Sequence, residues 1–261
     1  MGKKDLLLEQ VITQYLKLKE PIGSESLKAT CGSSFSSATI RNYFKILVAE
    51  GWLSQPHISS GRIPTTNALK AHWRKYIDSK NPCIITDLAQ LKNASYAHSI
   101  CAIVCLEQSN KLQKIQRIEE DLLLLIFEHS HAVMPYSTTL ERFLQELCNL
   151  DIGDIKKIAY QVRARELLGI LDSISKTQIS RFCICALKEM LELHSNEEVF
   201  LDITNGLIFH KLQNGIYFDE VLPNNYLGVM QDIRTAQGSG HIFCVGTLDR
   251  DFSKFYNDIA S

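Results

Sequence analysis

The stretch SSATIRNYFKILVAEG, residues 36–51, followed by WLSQPHISSGRIP, residues 52–64, decides the architecture of the first part of the chain. Ser36 is placed to cap a helix, because its hydroxyl can accept from the otherwise unpaired N–H groups of the first turn. A helix is predicted from Ser37 to Glu50, stopping at Gly51, where a left-handed residue costs glycine nothing. Advancing about 100° per residue from Ile40 puts Tyr43, Phe44, Leu47 and Val48 within about 80° of it, the face expected to pack inward. Ala38, Asn42 and Lys45 fall on the opposite face, with Arg41 on its shoulder. After Gly51 the period changes. Trp52-Leu53-Ser54-Gln55 reads as a short strand, and residues 56–64 as a loop-bearing return strand bounded by Pro56 and Pro64.

The flanks agree with that center. From Leu6 to Leu18, apolar residues at 7, 8, 11, 12, 15, 16 and 18 follow the helical period. Glu20-Pro21-Ile22-Gly23 breaks this helix. Ser24 is expected to cap a short second one, Glu25 to about Thr30, before a turn at Cys31-Gly32-Ser33-Ser34. Thr65 or Thr66 caps a fourth helix through Leu69, Trp73, Tyr76 and Ile77, and Ser79-Lys80-Asn81-Pro82 marks a boundary. Three helices followed by a hairpin is the order of a winged helix-turn-helix, expected over residues 1–80.

The charge is distributed unevenly. Residues 1–80 hold twelve Lys/Arg and six Asp/Glu, a net of +6; the other 181 hold sixteen and twenty-three, a net of −7, and the sum is the −1 of the whole chain. A basic module on an acidic remainder suits a polyanion bound by the module alone. The residues available for it are specific. Asn42 can bond adenine N6 and N7, Arg41 guanine O6 and N7, and Lys45 a phosphate, while small Ser37 and Ala38 let the start of the helix approach a duplex. Ser59-Ser60-Gly61-Arg62 puts a flexible turn and a guanidinium at a hairpin tip, suited to the backbone or a narrow minor groove. From the helix alone, an ordinary solvated polar face remains an equal reading; the hairpin and the +6 charge favor DNA.

Beyond residue 80 the pattern is mixed. Tyr96 to Leu106 and Asp121 to Phe127 read as strands, separated by polar Glu107 to Arg117. Helices are expected over Thr139 to Leu150, Asp154 to Val162, Glu166 to Ile174 and Gln178 to Leu193. Strands follow over Glu198 to Ile203, Ile216 to Glu220 and His241 to Gly246, and a short helix over Asp251 to Ile259. A helical segment set into an α+β domain fits this succession.

Composition excludes several classes. Hydrophobic residues at 45% with only 13 Gly and 6 Pro argue for a globular chain. Apolar runs such as Leu122 to Phe127 are far short of the roughly 20 residues a membrane helix needs. Asp5 and Glu9 interrupt what a signal peptide would keep apolar, so a cytoplasmic protein is expected. Its eight cysteines form no CxxC pair, and reduced thiols rather than zinc are expected. His129 and His131 lack a third convergent ligand. No phosphate loop, GxSxG or HExxH occurs. His98, placed in a strand, would face away from Cys101, so no nucleophile and base pair is expected. Neither catalytic residues nor a cofactor or metal are therefore expected.

Glu20-Pro21-Ile22-Gly23-Ser24, Ser36-Ser37-Ala38-Thr39-Ile40-Arg41-Asn42, and Gln55-Pro56-His57 with Ser60-Gly61-Arg62-Ile63-Pro64 together resemble the N-terminal signatures of the HrcA family of heat-inducible transcription repressors. Weaker similarity continues through Val133-Met134-Pro135 and into Phe255-Tyr256. The resemblance implies an α+β chain: a winged helix-turn-helix, then a GAF-like domain over residues 81–261 with an inserted helical dimerisation segment at roughly 136–195. It further implies a homodimer that represses chaperone operons at an inverted-repeat operator, with activity maintained by the GroEL chaperonin and room for a second heat-shock regulator. DNA-binding residues expected on this basis are Ser37, Ala38, Arg41, Asn42, Lys45, Gly61 and Arg62. A regulator whose GAF-like domain senses a small effector is the alternative.

Overall fold

The computed structural model describes residues 2–31, 35–57, 60–175, 177–192, 197–236 and 238–260. They form two compact units. One holds residues 1–104, 180–235 and 241–261; the other holds 105–179 and 236–240.

The first unit opens with α1 (Lys3–Leu18), α2 (Ser24–Cys31) and α3 (Ser37–Ala49), then β1 (Leu53–Ser54), β2 (Ile63–Pro64) and α4 (Thr66–Tyr76). The turn expected around residues 32–34 lies outside the described residues. Leu7 and Val11 of α1, Leu27 of α2, and Ile40, Phe44 and Leu47 of α3 share one buried core with Ile22, Phe35 and Leu53. Gly51 ends α3 with φ 76°, and Trp52 N donates to Leu47 O at 2.9 Å, closing the left-handed stop expected there. β1 pairs antiparallel with β2, Leu53 opposite Pro64. Thr65 caps α4 by accepting from Ala68 N at 3.3 Å.

α4 also anchors these elements to the rest of the unit. Trp73 is fully buried; its Nε1 donates to Leu248 O at 2.8 Å and its ring meets Phe252 edge-on at 5.5 Å. Burying an indole with its one donor satisfied combines large apolar area with no orphaned polar group. Lys19 reaches the Asp249 carbonyl, and Lys70 the Asp219 carboxylate.

The chain continues with β3 (Cys83–Ile84), α5 (Leu88–His98) and β4 (Cys101–Glu107). Tyr96 to Leu106 was predicted as one strand; its first residues instead end a helix. Ser99, at φ 52°, turns the chain, and the strand begins at Cys101. Asp87 starts α5 by accepting from Ala89 N at 2.8 Å, a cap that periodicity alone does not register.

The second unit contains β5 (Leu112–Ile118), β6 (Leu122–Phe127) and β7 (His131–Pro135), an antiparallel sheet in that order, with α6 (Thr138–Glu146), α7 (Ile152–Gln161) and α8 (Arg165–Ile174). β5 occupies the stretch expected as a polar spacer, because only Leu112 of its seven residues is fully buried and a one-sided, mostly polar strand lacks an apolar signature. Leu123, Leu125 and Phe127 point alternately into a core shared with Leu144, Ile155 and Leu171 from the three helices. Asp151 starts α7: its carboxylate accepts from Gly153 N at 3.0 Å, Ser109 Oγ at 2.7 Å and Asn110 N at 2.9 Å. Burial alone would raise its pKa, but those hydrogen bonds hold it below the usual carboxylate value.

The predicted helix Gln178 to Leu193 is replaced by β8 (Thr177–Phe182), a 3-10 turn (Ile184–Leu187) and α9 (Lys188–Glu192), with Leu193 outside the described residues. Cys183, at φ 52°, makes one continuous helix impossible here. The predicted strand Glu198 to Ile203 is a helix, α10 (Glu197–Asn205), which buries Asp202 and Ile203 and is followed by α11 (Ile208–Lys211). β9 (Gly215–Tyr217), β10 (Tyr226–Thr235), β11 (Gly238–Thr247) and α12 (Phe252–Ala260) complete the chain. β10 was not expected at all. Its sheet runs β3-β10-β11-β4-β8, with β9 also on β10; β3 is parallel to β10 and β9 antiparallel. Six consecutive buried residues, Tyr226 to Gln231, give this central strand no alternation to read. His98, at the end of α5, bonds Asp258 of α12 at 2.7 Å, so it faces a helix rather than a strand neighbor.

The chain is therefore α+β with three sheets among the described residues. None of its described helices is long and apolar enough to cross a membrane.

Candidate nucleic-acid interface

Ser36 starts α3 as expected: its Oγ accepts from Thr39 N at 3.1 Å. Ile40, Phe44 and Leu47 are buried and Tyr43 is half-buried, which leaves the opposite side to solvent. Ala38, Arg41, Asn42 and Lys45 are exposed there, and Ser37 is half-buried. Val48, expected inward, is 37% exposed. It lies at the margin of the inward arc, two turns from Ile40, and the core does not extend that far.

Arg41 is not a free cation. Its Nε donates to Ser24 Oγ at 3.3 Å, and its Nη2 lies 3.4 Å from Glu25 Oε1. Both side chains of the ion pair are about two-thirds exposed, at 65% and 68%, so the pair contributes little stability and can be exchanged for another anion. Ser24 itself is the first residue of α2 rather than the cap before it.

The hairpin meets this helix through Arg62. Arg62 N donates to Ile22 O at 2.9 Å and its carbonyl accepts from Ile22 N at 2.8 Å, tying the hairpin to the segment between α1 and α2. Its Nη1 donates back to Ser60 O at 3.1 Å, and its guanidinium carbon lies 5.9 Å from the center of the Phe44 ring. Its Nε is buried and has no hydrogen-bond partner in the structure. Ser60 closes the turn by donating to His57 O at 2.7 Å. Ser59, expected at the tip, lies outside the described residues.

Gly61 has a different role from the flexibility expected of it. A Cβ there would stand 2.5 Å from the Ile22 carbonyl carbon, 2.6 Å from its oxygen and 2.7 Å from the Pro21 carbonyl carbon. Glycine is needed because two backbones touch.

Arg41, Lys45 and Arg62 line one cleft of about 340 Å³ with Ser24, Phe44, Gln55 and Gly61. Three cations from two elements, one of them stacked near an aromatic ring, give a concave surface that attracts an anion of phosphate size or a base edge. Asn42 is exposed on the same helix as this cleft. Sequence reasoning missed Glu25 as the partner of Arg41 and Phe44 as the support of Arg62. Both relations join elements separated in the chain, although the Ser24-Glu25 pair at the start of α2 offered a local anion to look for. Among the described residues, no group of three His, Cys, Asp or Glu is placed to hold a metal.

A cationic helix-and-hairpin face at the N-terminal end of a larger α+β chain is the class the geometry defines. Residues 73–261 match the HrcA C-terminal domain. The heat-inducible transcription repressors HrcA of Helicobacter pylori strains ATCC 700392 / 26695 and J99 / ATCC 700824 are each 32% identical over 262 aligned residues, covering 100% of this chain and 95% of theirs. The heat-inducible transcription repressor HrcA of Chlamydia caviae is 49% identical over 76 residues, 29% of this chain and 19% of that protein. The chain belongs to the HrcA family.

Proposed function

We propose that this protein is a sequence-specific operator-binding repressor of chaperone operons. Residues 1–80 act as a winged helix-turn-helix, with α3 entering the major groove and the β1–β2 hairpin following the backbone. Asn42 and Arg41 read base edges; Lys45 and Ser37 contact phosphate or base edges, Ala38 allows the close approach, and Arg62, seated by Gly61, forms the wing contact. The observation that carries this reading is the single cleft shared by Arg41, Lys45 and Arg62 beside exposed Asn42, in a chain of the HrcA family.

The remainder acts as a GAF-like domain with an inserted segment through which two copies associate, so that two modules read an inverted repeat in the cytoplasm. A GroEL-type chaperonin maintains the active fraction. Footprinting the purified protein on the promoters of its own chaperone operons tests the central claim. Protection of two half-sites related by a dyad, lost in Asn42→Ala, is the expected outcome; no protected site on those promoters refutes it. Operator binding after mild heating, with and without chaperonin and ATP, tests the regulatory part: recovery that needs chaperonin is expected.

A further inference from the structure

The joint between β8 and α9 holds two thiols that the operator reading does not use. Cys183 Sγ and Cys185 Sγ are 3.5 Å apart. In an extended strand, residues two apart stand about 6.6 Å from one another, at about 3.3 Å of rise per residue. Cys183 breaks that geometry: its left-handed backbone, φ 52°, starts the 3-10 turn and swings the following residues around, so the two side chains face each other. Against a disulfide bond of about 2.05 Å, the remaining gap is about 1.5 Å, within reach of side-chain rotation and a small backbone adjustment.

The two thiols sit in different surroundings. Cys185 is exposed and Cys183 is buried, 3% accessible. Burial pushes the Cys183 thiol up to about 11, although the Ala186 N–H and the Arg250 charge act in the opposite direction. An accessible sulfur meets an oxidant first, and a buried one beside it is protected from bulk reagents but available to its neighbor.

We propose that Cys183 and Cys185 form a reversible dithiol-disulfide pair whose oxidant is a hydroperoxide. The Cys185 thiolate attacks the distal peroxide oxygen, the O–O bond breaks, and the alkoxide leaves as the alcohol with the proton released from Cys185. Cys185 is then a sulfenic acid. Cys183 sulfur displaces the hydroxyl group from it, and the proton of Cys183 departs with that group as water. Two thiols lose two electrons in total and one hydroperoxide gains them, giving one disulfide, one alcohol and one water. Formation of the bond ties the end of β8 to the 3-10 turn leading into α9. Glu189 of α9, one residue beyond the trypsin site at Lys188, lines a polar cleft with Tyr15, Asp249 and Arg250.

The test uses the full chain. Reduced protein is treated with a small excess of hydrogen peroxide, the peroxide is removed, and the chain is denatured, alkylated with iodoacetamide and digested with trypsin. Cleavage after Arg181 and Lys188 releases both cysteines in one peptide, residues 182–188. Loss of two hydrogens leaves that peptide unalkylated and about 2 Da lighter than its free dithiol form, and dithiothreitol restores two alkylation sites. In Cys185→Ser, Cys183 should stay alkylatable at the same dose. In Cys183→Ser, a sulfenic acid on Cys185 should accumulate and be trapped by dimedone. The proposal is overturned if both thiols of the treated wild-type protein remain alkylatable, if Cys185 advances to a sulfinic acid while Cys183 is alkylated, or if either is found joined to another cysteine. The wild-type measurement stands even if a variant fails to fold.

Discussion

Gly61→Ala adds one methyl group where the hairpin touches the segment before α2, and its consequence can be worked out from the contacts. A Cβ 2.5 Å from the Ile22 carbonyl carbon is 0.5 Å inside the 3.0 Å that real Cβ contacts essentially never breach, and the obstacles are backbone atoms that cannot rotate away. The hairpin must therefore retreat. A retreat of that size stretches the two Ile22–Arg62 hydrogen bonds, now 2.8 and 2.9 Å, to about 3.3 Å or more. Losing most of two backbone hydrogen bonds at about 1 kcal/mol each, plus residual overlap of about 1 kcal/mol, gives a local cost of about 2–3 kcal/mol. It falls on the placement of Arg62 without changing any charge. Operator affinity measured by fluorescence anisotropy at fixed salt should fall by about tenfold or more, and the slope of affinity against salt should lose about one unit as the wing contact is withdrawn. Lys45→Ala, by contrast, removes a charge and leaves the hairpin seated. If Gly61→Ala binds the operator within twofold of wild type and unfolds at the same temperature, the close approach does not position the wing and the reasoning fails.

Three further outcomes follow from the same geometry. Asn42→Ala should lose about 1–3 kcal/mol on the operator and little on random DNA, whereas Lys45→Ala should weaken both; equal losses for Asn42→Ala in a competition titration would remove it from base reading. Glu25→Gln should free Arg41 and tighten binding to random DNA, while the melting temperature moves by no more than about 2 °C because the pair is exposed; weaker binding would mean that Glu25 orients Arg41 productively. His72 is buried beside Glu9, 2.7 Å from its Oε2, and burial lowers its pKa below 6.5 despite that neighbor. The unfolded chain therefore binds a proton that the folded one resists. This contribution to stability is fully present above pH 6.5 and is lost as pH falls from 6.5 toward the lowered folded value. Denaturant titrations from pH 7.5 to 5.5 should show that decline, and His72→Gln should flatten it.

Local signals carried α1 to α4 because each has a strong apolar period, a capping residue or a glycine stop of its own: Ser36, Gly51 and Thr65 act where the sequence places them. The exposed face of α3 was equally legible, since burying Ile40, Phe44 and Leu47 leaves Arg41, Asn42 and Lys45 nowhere to go but outward. Residues 178–193 show the limit of this logic. Their apolar positions fit a helix, yet β4 offers an open edge to residues 177–182, and inter-strand hydrogen bonds to an existing sheet outweigh a weak intrinsic preference. Residues 198–203, rich in strand-forming side chains, became helical because Ile203 finds burial on one helix face and Asp202 a partner in Lys211. The pairing of Arg41 with Glu25, the seat of Arg62 on Phe44 and the backbone contact at Gly61 were decided only by tertiary structure. Each joins positions 16 to 40 residues apart, and a linear pattern holds no distance between them. The sequence by itself therefore determined that Ala38, Arg41, Asn42 and Lys45 face outward on α3; packing of separate elements determined which of those residues converge on one cleft.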